Sequence, residues 1–102
     1  MPEFLPALAA SDLPPGRAAE VKVGGQAVAL FNVDGTFHAL AARCPHRGGP
    51  LGSGYLAGPQ VSCPWHGWTF DVTTGRNVDG GDLGVRRYDV SVEDGQVCVK
   101  VG

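Results

Sequence analysis

The amino-acid sequence predicts a nearly all-β fold: a small antiparallel sandwich or barrel with a loop-rich subdomain set into its middle. Three observations carry that expectation. Apolar and polar residues alternate in short runs, Gly-Gly and Asp-Gly pairs separate those runs, and no segment has the length and apolar spacing of a stable helix. The 102 residues, 43% of them hydrophobic, suffice for one compact domain over residues 1–102 and leave little room for a second. With Gly 16 and Pro 8, the chain is turn-rich rather than low in complexity, because Val, Leu, Phe and Ala recur throughout it in regular short runs.

In order along the chain, Ala7 to Ala10 and Ala18 to Glu20 have mild helical character, and Pro14-Pro15-Gly16 marks a bend. Val21 and Val23 alternate with Lys22, Gly24-Gly25 breaks the run, and a strand resumes from Ala27 to Val33. Asp34-Gly35 predicts a tight hairpin turn, since these residues readily take positive φ, and Thr36 to Leu40 completes a meander. Near the other end, Tyr88, Val90 and Val92 alternate with polar residues; after Asp94-Gly95, Val97, Val99 and Val101 continue the apolar face. Between them, Gly and Pro punctuate residues 43–84, with brief strands expected at Tyr55-Leu56, Gln60 to Ser62 and Thr69 to Asp71. Phe4, Leu30, Phe31, Val33, Tyr88 and the terminal valines are the core candidates, with Pro50 and Leu51 packing beneath the first loop.

The formal charge of -2 argues against a nucleic-acid binder that relies on a broad positive surface, and no block of like charge suggests a membrane-binding tail. The longest apolar stretch, Ala27 to Phe31, is too short to span a bilayer, and Met1-Pro2-Glu3-Phe4 does not resemble a secretion signal, so the expected compartment is the cytoplasm. Three cysteines, Cys44, Cys63 and Cys98, are too few for a disulfide framework.

The informative motif is Cys44-Pro45-His46 followed, sixteen residues on, by Cys63-Pro64-Trp65-His66. Each half places a thiol and an imidazole on a Pro-bearing loop, so two loops side by side would present two sulfur and two nitrogen ligands.

Cys-x-His followed by Cys-x-x-His in a β-rich chain of this length resembles the Rieske [2Fe-2S] proteins, over nearly the whole sequence. The resemblance implies one [2Fe-2S] cluster, with Cys44 and Cys63 on one iron and His46 and His66 on the other, nearer the surface. Two thiolates in place of four leave the oxidised cluster neutral, which makes it easier to reduce and suits a one-electron carrier. Gly48-Gly49 and Gly67 would let backbone N–H groups approach the cluster sulfurs, while Arg43 and Arg47 would either add positive potential or stand solvated on their loops.

Departures from the high-potential members of that family set the expected potential. Gly49 and Trp65 occupy the positions where those members carry two further, disulfide-linked cysteines. Trp68 and Phe70 stand where the same members place a Ser and a Tyr that donate O–H bonds to the cluster. Without those donors, the midpoint should fall toward the low end of the Rieske range, about -150 mV. Asn77 to Asp82 also lacks the proline found in the third loop of many relatives.

The resemblance further implies a soluble ferredoxin that takes electrons from an NAD(P)H-dependent flavoprotein reductase and docks at its His46/His66 tip on a terminal oxygenase, often an aromatic-ring dioxygenase. It would be an electron-transfer component with no catalytic residues of its own. The alternative is a small Rieske-like subunit of a larger enzyme such as assimilatory nitrite reductase. Zinc also accepts two thiolates and two imidazoles, although its common sites pair like ligands rather than interleaving them. A catalytic Cys/His pair would need only one half of the motif. Cys98 reads as a small strand residue and His38 as a structural or surface histidine. Trp65 and Trp68 offer either packing between the loops or a partner-docking surface.

Overall fold

The computed structural model describes residues 4–43, 49–65, 68–78 and 84–101. Nine strands are present among them: β1 (Phe4–Ala9), β2 (Ala18–Val23), β3 (Gln26–Val33), β4 (Thr36–Ala41), β5 (Tyr55–Ala57), β6 (Gln60–Ser62), β7 (Thr69–Asp71), β8 (Arg87–Glu93) and β9 (Gln96–Lys100). Six form one antiparallel sheet in the order β1-β9-β8-β4-β3-β2, whose two edges, β1 and β2, touch each other so that the sheet nearly closes. The other three, β5-β6-β7, form a small meander between β4 and β8 in sequence. No α-helix occurs among the described residues, only short 3-10 turns at Ala10–Asp12 and Leu51–Ser53.

The hairpins follow the turn chemistry. At Asp34-Gly35 and Asp94-Gly95 both central residues have positive φ, 52° and 93° in the first pair and 52° and 77° in the second. That geometry matches the twist of the flanking strands.

Strand β3 explains its near-continuous apolar run. It is buried on both faces, with Val28 and Leu30 turned to one core and Ala29 and Phe31 to another. The first core fills the sheet's concave side with Val23, Val28, Leu30, Ala39, Tyr88, Val97, Val99 and Val101. The second joins Ala29, Phe31 and Leu40 of the large sheet to Leu51, Val61, Cys63, Phe70, Val72 and Val85. Through this second core, the small meander is mounted on the scaffold.

Two expectations are corrected. Most of the mildly helical residues are strand: Ala7–Ala9 closes β1 and Ala18–Glu20 opens β2, while Ala10 begins the 3-10 turn Ala10–Asp12. Alanine decides little by itself, so ladder bonds to β9 and β3 override a weak helical preference. Pro6 is tolerated because β1 is an edge strand whose register shifts just after it. Phe4 is not a core residue; it is 38% exposed at the start of β1, with the Lys100 ammonium 5.9 Å from its ring centre. Val33 and Pro50 are only half-buried, whereas Leu30, Phe31, Leu51, Tyr88, Val97, Val99 and Val101 are buried as expected.

Candidate metal centre

Two loops carry the Cys/His motif, and the structure shows how each is closed at its base. Beyond β4, Arg43 and Pro50 pair across an antiparallel bridge, and the N–H of Leu51 donates to the carbonyl of Ala42 at 2.9 Å. The described residues on either side of the first half of the motif, Arg43 and Pro50, are thus tied to each other. In the second loop, Ser62 pairs with Thr69 across β6 and β7, their hydroxyls lie 3.1 Å apart, and the Cys63 N–H donates to the carbonyl of Trp68 at 2.8 Å. Cys63 and Trp68 therefore extend the β6–β7 pairing by one further bond.

Of the predicted ligands, Cys63 is described, whereas Cys44, His46 and His66 lie outside the described residues, as do Arg47, Gly48, Gly67 and positions 79–83. Cys63 is an unbridged thiol, 2% exposed, packed in the second core with Leu51, Val61 and Phe70. Gly49, the last residue of the first loop before Pro50, lies directly against it. A β-carbon built on Gly49 would come 2.5 Å from the Cys63 Sγ and 3.3 Å from both Cβ and Cγ of Trp65. The two loops thus meet at Gly49, Cys63 and Trp65, and a soft sulfur donor stands at their junction, as a thiolate-ligated iron requires.

Neighbouring side chains complete the setting. Phe70 is fully buried, and its ring centre lies 6.5 Å from that of half-buried Trp68. Trp65 is 64% exposed even though its stem touches the other loop, and with Glu20, Arg43, Pro50 and Ser53 it lines a shallow hollow. The packing role expected of the tryptophans therefore holds for Trp68, while Trp65 both meets Gly49 and projects into solvent. Arg43 is ion-paired with Glu20 across to β2, so its charge is already partnered at the surface.

A third segment backs the hairpin. Asp71 accepts from the N–H and hydroxyl of Thr73 at 2.8 and 2.6 Å, and the Val78 N–H donates to the carbonyl of Thr69 at 2.9 Å. Gly75, at φ 82°, takes a bond of 2.7 Å from the Val85 N–H, and a β-carbon there would collide with the Val85 carbonyl. His38 is half-buried on β4, and burial, reinforced by the Arg87 charge and partly offset by Asp71, holds its imidazole below the usual 6.5. Cys98 is a buried free thiol on β9, opposite Pro6 and Ser91. Sequence reading missed the Leu51–Ser53 turn that seats the first loop on β2, although Gly52 and Gly54 in succession mark a backbone that packs closely.

Comparison with known proteins accounts for this arrangement. Residues 3–88 match the family model described as the Rieske [2Fe-2S] domain. The chain is 40% identical over 90 residues to human apoptosis-inducing factor 3, a match that covers 87% of this chain but only 15% of that much longer protein. It is 31% identical over 99 residues to the ferredoxin component of the naphthalene 1,2-dioxygenase/salicylate 5-hydroxylase systems of Ralstonia sp, covering 96% of this chain and 95% of that one. Among solved structures, it superposes with a TM-score of 0.87 and 33% identity on a chain in the complex of reduced oxygenase and oxidised ferredoxin of carbazole 1,9a-dioxygenase, covering 95% of this chain and 92% of that chain. With residues 3–88 matched by the family model and the β architecture superposed over 95% of the chain, the chain belongs to the Rieske [2Fe-2S] domain family.

Proposed function

We propose that residues 1–102 form a single domain that works as a one-electron carrier, with Cys44 and Cys63 holding one iron and His46 and His66 the other of one [2Fe-2S] cluster. The observation that carries this reading is near end-to-end similarity to a ferredoxin component of a dioxygenase system, 96% of this chain against 95% of that one. When bound, the cluster supplies a site that accepts and returns one electron. The chain's own part is to hold the donors. The closed hairpin base fixes the Cys63 backbone, the apolar second core keeps water from its sulfur, and the first loop is tied down at Arg43 and Pro50.

In this role, the protein is reduced by an NAD(P)H-dependent flavoprotein reductase and passes the electron to a terminal oxygenase, docking at the His46/His66 tip. The oxygenase–ferredoxin complex among its structural neighbours supports that choice of partner. Contact should be brief, as turnover requires the carrier to leave one partner for the other. No helix among the described residues is long and apolar enough to cross a membrane, in keeping with the proposed cytoplasmic carrier. Trp68 and Phe70 offer no hydroxyl to the cluster, so the midpoint should lie at about -150 mV. The test is stopped-flow mixing of the reduced protein with an aromatic-ring terminal oxygenase, alongside a potentiometric titration. Rapid reoxidation by the oxygenase and a midpoint well below zero are expected; no transfer, or a midpoint near +300 mV, contradicts the reading.

The match within the much longer apoptosis-inducing factor 3 favours a second reading, in which the domain serves a larger enzyme as a permanent subunit. Assimilatory nitrite reductase, whose small subunit is Rieske-like, exemplifies such an enzyme. Stable co-purification with a large enzyme supports that reading, and a free monomer that reduces an oxygenase supports the carrier.

A further inference from the structure

Trp65 is the largest exposed side chain beside the candidate centre, and two facts about it pull apart. Its ring is mostly in water at 64% exposure, an unfavourable place for so large an apolar group. Its stem, by contrast, is set tightly: a β-carbon on Gly49 would stand only 3.3 Å from its Cβ and Cγ. That same absent β-carbon would stand 2.5 Å from the Cys63 Sγ. Glycine at position 49 therefore leaves a slot, which the Trp65 stem and the Cys63 sulfur occupy side by side. On its inner side, the Cys63 thiol is covered by Leu51, Val61 and Phe70, and it is only 2% exposed despite lying just beyond the end of β6.

We infer that Trp65 is a positioning residue that clasps the two loops. Its stem, lodged against Gly49, fixes the spacing between Gly49 and Cys63 and shuts water out from the outer side of that sulfur. The inference deepens the proposed function by naming what retains the cluster at Cys63. The separation suits such a clasp: two β-carbons at these positions would stand 3.3 Å apart, slightly closer than the roughly 3.5–4.5 Å of a disulfide. Here apolar packing joins the loops in place of a covalent bond. Unlike a disulfide, this contact is insensitive to thiol reductants. It should instead respond to the size of the side chain at position 65.

The experiment uses the cluster-loaded protein and follows bleaching of its visible absorption in excess iron chelator, for the series Trp65→Phe, Trp65→Leu and Trp65→Ala. Tyr55→Ala serves as control, because Tyr55 is 75% exposed but lines a different hollow with Gly16 and Arg17. Expected are bleaching at least tenfold faster in Trp65→Ala, an intermediate rate in Trp65→Leu, near-normal retention in Trp65→Phe and no change in Tyr55→Ala, with the far-UV melting of the scaffold unmoved. Should Trp65→Ala fail to assemble a cluster while melting normally and Trp65→Phe restores it, the clasp is supported as well. Equal bleaching across the series, or a rise matched by Tyr55→Ala, overturns the inference while leaving the carrier reading intact. A wild-type protein with no visible chromophore overturns the carrier reading itself.

Discussion

The two cores of the molecule are built on opposite faces of the same strand and ask different things of it. On one face of β3, Val28 and Leu30 join Val97, Val99 and Tyr88 in a core made mainly by long strands. On the other face, Ala29 and Phe31 meet Leu51, Val61 and Phe70, which come from short strands and loops with few ladder bonds of their own. The scaffold core is supported by the sheet around it, whereas the loop subdomain depends on the second core for its place. The difference predicts that the β5-β6-β7 meander and the Leu51–Ser53 turn come away from the scaffold before the large sheet unfolds.

The strongest way to break that comparison is to hollow out each core in turn. Phe70→Ala removes a fully buried ring from the second core and should cost about 3–5 kcal/mol. Its visible chromophore should vanish on heating well before the far-UV signal of the sheet. Leu30→Ala, costing about 2–5 kcal/mol on the other face, should lose both signals together. If the chromophore and sheet of Phe70→Ala melt as one, the two cores are a single cooperative unit.

A smaller effect is expected where the loop subdomain rests on β2. A β-carbon on Gly52 would stand 2.8 Å from the backbone nitrogen of Glu20 and 3.0 Å from the carbonyl carbon of Ala19, and neither backbone atom can swing aside. Gly52→Ala should destabilise by about 1–3 kcal/mol, felt mainly as faster loss of the chromophore in chelator. An unchanged bleaching rate would show that the first loop is not seated through this contact.

The weakest predicted effect is a dependence on pH. His38, on the large sheet, is held below its usual 6.5 chiefly by burial, then by Arg87, with Asp71 of the small sheet acting the other way. Between that lowered value and about 6.5 the unfolded chain binds the proton more readily, so stability is full above this window and falls as pH drops through it. His38→Gln should flatten the decline in denaturant midpoint below about pH 6.5. A slope equal to that of the wild type would assign the decline to other groups.

Much of this was legible in the sequence. Asp34-Gly35 and Asp94-Gly95 announced two hairpins, the alternating valines announced the last, and the three short strands of the loop region emerge within a residue of where Gly and Pro punctuation placed them. The first strand was hidden because Ala7 to Ala9 carry no side-chain signal of their own and are strand only through pairing with β9. Phe4 misled because a single aromatic residue at the end of an edge strand is an apolar residue with nothing to cover it. The motif gave the ligand types, but the meeting of Gly49 with Cys63 and Trp65 depends on two loops separated in sequence, which no local pattern reports.

In the proposed carrier, the two loops jointly hold one iron pair with sulfur on one side and nitrogen on the other. Electron paramagnetic resonance of the dithionite-reduced protein, quantified against its iron and acid-labile sulfide, tests it most directly. One unpaired spin per chain is expected, with about two irons and two sulfides. A silent, sulfide-free protein, or one that binds zinc in stoichiometric amount, would contradict it.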